Sequence, residues 1–585
     1  MAVLLEDVVK AVEAWLKILK KPEPYIDPNL DPVLIVPGIA GSILHALNGE
    51  TGKEERVWVR IWEADHEFRA KLWCQFDSAT GKTMSLDPNT SIVVPEDRDG
   101  LYAIDCLDPD MVRFLMLILE SASLCIHYIL VFVEFDTLLH PLHTPFLSIV
   151  GRDSVCYFHD MINEMTSWGY QEGKTLFGFG YDFRQSNRLK ETMDRLAAKL
   201  DAIYTASGGK KINVITHSMG GLLLKCFMSL HSDVKSMLLS LLLIFEKYVK
   251  NWIAIAAPFQ GAPGYVTSTL LNGMSFVEGW EAYFFVSKWS MHQLLIECPS
   301  IYELMACLDY EWEHDPMLQI WKEIQDGEGN SAAMLETFTP VEAVSIFTQA
   351  LSNNELSYDG VDIPLPFNKA ILHWANKTRE ILSSAKLPPK VKFYNVYGTG
   401  QDTPQTVSYG SVDSPVSDLC ELPFLDATYV NVDGDGTVPV ESAKMPFYLN
   451  GDKILQKARV GIPGDHRGIL KDKHLFRIVK HWLKADHDPF YNPVNDYVIL
   501  PTLFELKKHH EKGVEVTSLK EEWEFVSKDQ DENNHQPVVG SISASRVADD
   551  RSSSEEARAT FIVHPQSNGK QHVELNAMSV TAGGA

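Results

Sequence analysis

The sequence predicts an α/β fold, a mostly parallel central sheet with helices on both faces, and three observations carry that expectation. Short apolar runs closed by turn residues recur along the chain, segments of helical periodicity separate them, and one run passes through a tight turn directly into a helix. With 45% hydrophobic and 22% charged residues, the 585-residue chain has the composition of a globular protein with a large core. Its length would suit several domains, but one folded unit with a large inserted cap fills the same length, and that reading is adopted. A formal charge of -26 argues against nucleic acid as a partner, because binding a polyanion needs clustered Lys and Arg.

Residues 1–24 form the first element. Leu5, Val8, Val9, Val12, Trp15, Leu16 and Leu19 fall on one helical face with lysines outside it, so an amphipathic helix is expected, docked on the body or lying in a membrane interface. The segment carries Glu6 and Asp7 where a signal peptide has its apolar run, so a cytoplasmic protein is expected. Residues 32–36 (PVLIV), closed by Pro37-Gly38, read as the first buried strand. Further strands are expected at 176–179 (LFGF), 211–216 (KINVIT), 251–257 (NWIAIAA) and 391–397 (VKFYNVY), with a helix over 188–205.

Two insertions, about 45–110 and 262–385, read as a cap over the sheet, the second mainly helical and rich in Trp, Tyr and Phe. Residues 506–585 form a polar, partly disordered tail, in which ATFIVHPQ and QHVELNAMSV flank SNGK as a candidate hairpin. Two apolar segments, 111–149 and 234–243, look foreign to the pattern. The first approaches the length of a membrane-spanning helix and the second is too short to span. Membrane insertion, translated intron sequence and lineage-specific loops all remain open for them.

The chemistry concentrates where KINVIT runs into His217-Ser218-Met219-Gly220-Gly221 and then the helical LLLKCFMSL. A serine on a strand-to-helix turn projects its hydroxyl above the sheet, and the helix N-terminus aims N–H groups at a developing oxyanion. Thr216 stands where the first glycine of a GxSxG pattern would be. This turn specifies the α/β-hydrolase fold, with Ser218 as nucleophile, against the bland reading of a helix-capping serine. A neutral serine needs a histidine base oriented by a carboxylate, and in this fold both follow the serine, acid first. Tyr429-Val430-Asn431-Val432 reads as a strand leading into Asp433-Gly434-Asp435-Gly436-Thr437-Val438-Pro439, a suitable perch for the acid, although a plain Gly/Asp turn has the same composition. His466, in the loop GIPGDHRGIL before a helical segment, is the candidate base.

These motifs resemble the plant lecithin:cholesterol acyltransferase-like family, especially its cytosolic phospholipase A branch. The resemblance rests on PVLIVPGIAGS (32–42), ERVWVR (55–60), GFGYDFRQS (178–186), NVITHSMGGLL (213–223), AAPFQGAPG (256–264), DGDGTVP (433–439) and PGDHRG (463–468), and spans roughly residues 25–505. It implies a catalytic domain over that span, Asp435 rather than Asp433 as the acid, His466 as the base, and an oxyanion hole formed by the backbone N–H groups of Ile39 and Met219. It further implies a phospholipid substrate, phosphatidylcholine-like, met peripherally at a membrane surface. Aromatic residues of the cap, Trp58, Trp62 and the stretch from Met274 to Trp289, are expected to hold acyl chains.

Eight cysteines scattered without CxxC spacing indicate neither a zinc site nor a disulfide framework, and no phosphate-cradling loop occurs, so no cofactor is expected. Three functions compete: acyl transfer to water (phospholipase A), acyl transfer to a sterol or other alcohol, and noncatalytic lipid binding on a hydrolase scaffold. The intact Ser, Asp and His set favours the enzymes, and the family branch favours water.

Overall fold

A computed structural model describes residues 25–60, 71–110, 155–230, 243–273, 288–325, 331–444 and 456–485, together with the backbone of 538–547, 554–565 and 571–582. The expected helix at 1–24, the insertion at 111–149, Trp62, residues 274–287 and all of 234–243 but its last residue lie outside them. Leu243 opens a short helix, Leu243–Tyr248.

Six strands build the central sheet: β1 (Val33–Val36), β2 (Leu176–Gly178), β3 (Ile212–His217), β4 (Val249–Ile255), β5 (Lys392–Thr399) and β6 (Gln456–Pro463). Their order is β6-β5-β4-β3-β1-β2, and every pairing is parallel. All residues of β1, β2 and β3 are buried. That burial on both faces is why they read as continuous apolar runs rather than alternating ones. Five of the six strands match sequence expectations; β6, which leads into the PGDHRG loop, is not among the strands expected from sequence.

The chain runs from β1 outward to β2, then back past β1 to β3 and on through β4, β5 and β6. Right-handed crossovers running in opposite directions put their helices on opposite faces. Accordingly α1 (His159–Ser167), before β2, packs with the helix after β6, Lys473–Trp482, while α2 (Lys190–Ala206) packs on β3 and α3 (Gly220–Leu230) on the helix Lys369–Ser384. The reversal falls between β1 and β3, so the loops leaving these two strands open a crevice at the C-terminal edge of the sheet, the usual place for a site in such folds.

The second insertion carries its expected helices, among them Pro263–Asn272, Pro340–Ala350 and Lys369–Ser384. It also carries strands that the sequence reading leaves out. Leu318–Gln325 pairs antiparallel with Ser331–Phe338 and parallel with Gln401–Tyr409, which in turn pairs with Thr428–Gly434. This four-stranded sheet continues from β5 through Gly400, and its last strand delivers the acid turn described below. In the tail, 554–565 pairs antiparallel with both 538–547 and 571–582. No helix among the described residues is long and apolar enough to cross a membrane.

Candidate active site

Ser218 sits between the last residue of β3 and the first turn of α3. Its φ is 53°, in the left-handed region that costs a non-glycine residue ~1–3 kcal/mol and persists only where the surroundings enforce it. They do so here: the Ser218 N–H donates to the Ile255 carbonyl at 2.9 Å, and the Ser218 carbonyl accepts the Gly221 N–H at 2.9 Å. Helix α3 can start this close to β1 only because Gly220 lacks a side chain; a Cβ there would lie 2.4 Å from the Pro37 carbonyl oxygen. Thr216 is fully buried, and its hydroxyl accepts the Trp252 indole N–H at 3.0 Å, so the departure from glycine is absorbed without an unpaired polar atom.

Asp435 and His466 reach Ser218 from two other loops. His466 Nε2 lies 2.9 Å from Ser218 Oγ, and His466 Nδ1 lies 2.7 Å from Asp435 Oδ2. The other carboxylate oxygen, Oδ1, accepts the backbone N–H groups of Thr437 (3.0 Å) and Val438 (2.7 Å), and the residue is 1% exposed. Two amide donors and the imidazole thus satisfy the buried carboxylate. Gly398, near the end of β5, admits this arrangement, since a Cβ there would meet Asp435 Cβ at 2.5 Å. Asp433 lies elsewhere: its Oδ1 accepts the Gly400 N–H at 2.7 Å. The turn therefore presents Asp435, not Asp433, to His466.

Met219 follows Ser218 at the helix start, and Ile39 follows Gly38, where a Cβ would lie 2.6 Å from Ser218 Cβ. Neither the Ile39 nor the Met219 N–H joins a backbone hydrogen bond among the described residues. Both remain free to donate to an oxyanion. The loop carrying Ile39 is clamped from several sides. The Tyr181 hydroxyl donates to Pro37 O (3.1 Å), the Tyr181 N–H donates to Ser42 Oγ (3.0 Å), and the Trp58 indole donates to Ala40 O (2.9 Å).

That last bond corrects one expectation. Trp58 is 3% exposed and packs on Phe183 at 5.3 Å, so it supports the loop and the core instead of meeting an acyl chain. Similarly, Arg184 of the GFGYDFRQS motif binds both carboxylate oxygens of Asp182, at 2.9 and 2.8 Å, and the Leu72 carbonyl at 3.0 Å, which anchors the cap. Sequence reasoning also misses Tyr157 and His217, which contact the site from behind; the one local signal is that His217 directly precedes Ser218. Cys106, Cys156 and His159 bring their ligand-type atoms within 4.8 Å of one another, a grouping that a fifty-residue separation conceals. His159 already bonds Asp105 through Nδ1 and faces the Asn163 amide through Nε2.

A serine on a strand-to-helix turn of a parallel sheet, served by histidine and carboxylate from later loops, is the arrangement of the α/β-hydrolases. Within that class the chain belongs to the lecithin:cholesterol acyltransferase family, whose sequence model matches residues 144–454. It is 58% identical over 585 residues to the Arabidopsis thaliana protein named lecithin-cholesterol acyltransferase-like 4, covering 99% of both chains. It is 45% identical over 456 residues to phospholipase A(1) LCAT3 of the same plant, covering 78% of this chain and 91% of that one. Among solved structures it is similar to that titled the Tle4-Tli4 complex, with a TM-score of 0.40 and 14% identity over 78% of this chain and 98% of that one.

Proposed function

We propose that the protein is a lipid acyl hydrolase of phospholipase A type, which cleaves a fatty acyl ester of phosphatidylcholine-like phospholipids at a membrane surface. The observation that carries the proposal is the unbroken row from Ser218 Oγ through both ring nitrogens of His466 to Asp435. The Ser218 hydroxyl donates to Nε2, so attack on the ester carbonyl passes its proton to His466, and Asp435 stabilises the imidazolium that forms. The oxyanion of the tetrahedral intermediate is met by the N–H groups of Ile39 and Met219. His466 returns the proton to the departing lysophospholipid oxygen, then draws one from water to release the fatty acid and regenerate Ser218. The described part of the cap also holds apolar space suited to a hydrocarbon chain, a cavity of about 250 Å³ lined by Pro263, Met305, Val341, Phe347 and Leu372, among others.

Transfer to an alcohol uses the same acyl-enzyme, so the acceptor decides between hydrolase and acyltransferase. With phosphatidylcholine vesicles alone, free fatty acid and lysophospholipid are expected; added sterol should give little or no steryl ester. Chromatography of the acyl products from vesicles with and without sterol checks this. An excess of steryl ester over fatty acid at comparable acceptor supply would replace the hydrolase with the acyltransferase.

A further inference from the structure

Two buried polar side chains lie against the triad without belonging to it. Tyr157 and His217 are 7% and 1% exposed, so their polar atoms must find partners inside the protein. The Gly38 N–H donates to the Tyr157 hydroxyl oxygen at 3.0 Å. That oxygen lies 2.6 Å from His217 Nδ1, and His217 Nε2 lies 2.9 Å from the backbone carbonyl oxygen of His466.

The direction of each bond follows. A carbonyl only accepts, so His217 carries a proton on Nε2. Burial, reinforced by His466 and Arg467, pushes the His217 pKa well below the ordinary value, which leaves Nδ1 bare. Burial likewise pushes the Tyr157 phenol up to about 12, so it keeps its proton and donates it to Nδ1. Read from one end, the chain of donors is Gly38 N–H to Tyr157, Tyr157 O–H to His217, and His217 Nε2–H to His466 C=O. Ring packing reinforces it, with Tyr157 edge-on to His217 at 5.5 Å and His217 at 4.8 Å from the His466 ring. The Arg467 guanidinium closes the back, 5.0 Å above the Tyr157 ring and donating to the Cys156 carbonyl at 3.1 Å.

The two ends of this chain are the two moving parts of the proposed reaction. Gly38 immediately precedes Ile39, the oxyanion donor, and the far end is the main chain of the base itself. We propose that Tyr157 and His217 are positioning residues that lock the oxyanion loop to the His466 loop, so that donor and base stay aligned on Ser218. The inference rests on the Ser218–His466–Asp435 reading. Neither residue touches the ester; they act through the groups they hold, and misplacement of such groups by about 1 Å costs on the order of 10²-fold.

The test uses the full chain with a soluble ester, p-nitrophenyl butyrate, and a fluorophosphonate that labels the nucleophile. Tyr157→Phe removes only the hydroxyl; kcat should fall roughly 10–100-fold with KM within about twofold, and labelling should slow in parallel. His217→Gln keeps an N–H donor for the His466 carbonyl and should retain about tenfold more kcat than His217→Leu, a rescue that loss of packing alone would not give. Unchanged kcat in folded Tyr157→Phe, or a loss carried by KM, overturns the proposal. If Tyr157→Phe does not fold, the two His217 variants decide, and equal kcat in both overturns it. An active Ser218→Ala protein would instead overturn the triad reading beneath it.

Discussion

Ser218→Ala is expected to lower turnover of phosphatidylcholine by about 10³-fold or more in a protein that still folds. The substitution deletes one hydroxyl whose hydrogen bond in the structure goes to His466 Nε2. The φ of 53° suits alanine no worse than serine, because both carry the same Cβ. The bonds that enforce the turn run through the backbone, so they survive the change. Fatty acid release from vesicles, measured beside near-ultraviolet circular dichroism, checks both halves of the expectation. Retained turnover in a folded mutant would remove Ser218 from the reaction.

Asp435→Asn should be as damaging, about 10⁴-fold in kcat by analogy with triads in other hydrolases, and the cause can be traced atom by atom. The Thr437 and Val438 N–H groups both point at Oδ1 and will hold the amide oxygen there. The amide NH₂ must then face His466 Nδ1, which is forced to accept. That places the ring proton on Nε2, where it blocks receipt of the serine proton. Asp433→Asn makes a sharp control. The Gly400 N–H that donates to its Oδ1 bonds an amide oxygen as readily as a carboxylate, so kcat should stay within a few-fold. Paired kinetics of the two variants settle the choice, and the reverse order of damage would move the acid to Asp433.

How much of this was legible in the sequence depends on whether the determinant is local. The Ser218 turn, the DGDGTVP turn and the PGDHRG loop announce themselves because strand, turn and chemistry are contiguous. Choosing Asp435 over Asp433 was not legible in the residues themselves, since both share one turn; only the family resemblance separated them. What separates them physically is that Asp433 is still in the hairpin register opposite Asp402, while Asp435 lies against Gly398 of β5. The Tyr157–His217 contact joins residues sixty positions apart, with no periodicity to betray it. Strand Ser331–Phe338 (SAAMLETF) was missed for another reason: Ala, Met, Leu and Glu favour helix, and pairing with Leu318–Gln325 overrides that preference.

Cys106 and Cys156 face each other in an antiparallel bridge, bracketed by Leu107 N–H to Val155 O and Tyr157 N–H to Asp105 O, both at 2.8 Å. Arg56 clamps the same place through Asp108 (2.7 Å) and Asp110 (2.8 Å). Together they form a closed neck from which residues 111–154 leave and to which they return. Once a neck is shut, the entropy of closing the loop grows only with the logarithm of its length, ~0.6 kcal/mol for each doubling. Removing 111–149 should therefore shift the melting temperature by only a few degrees and leave vesicle hydrolysis intact, as thermal unfolding and product release can check; loss of both would show that the segment is part of the fold. The neck also makes this a natural graft point, where a reporter domain with adjacent termini could replace the segment while Tyr157, one residue inside the neck, keeps its hold on Gly38.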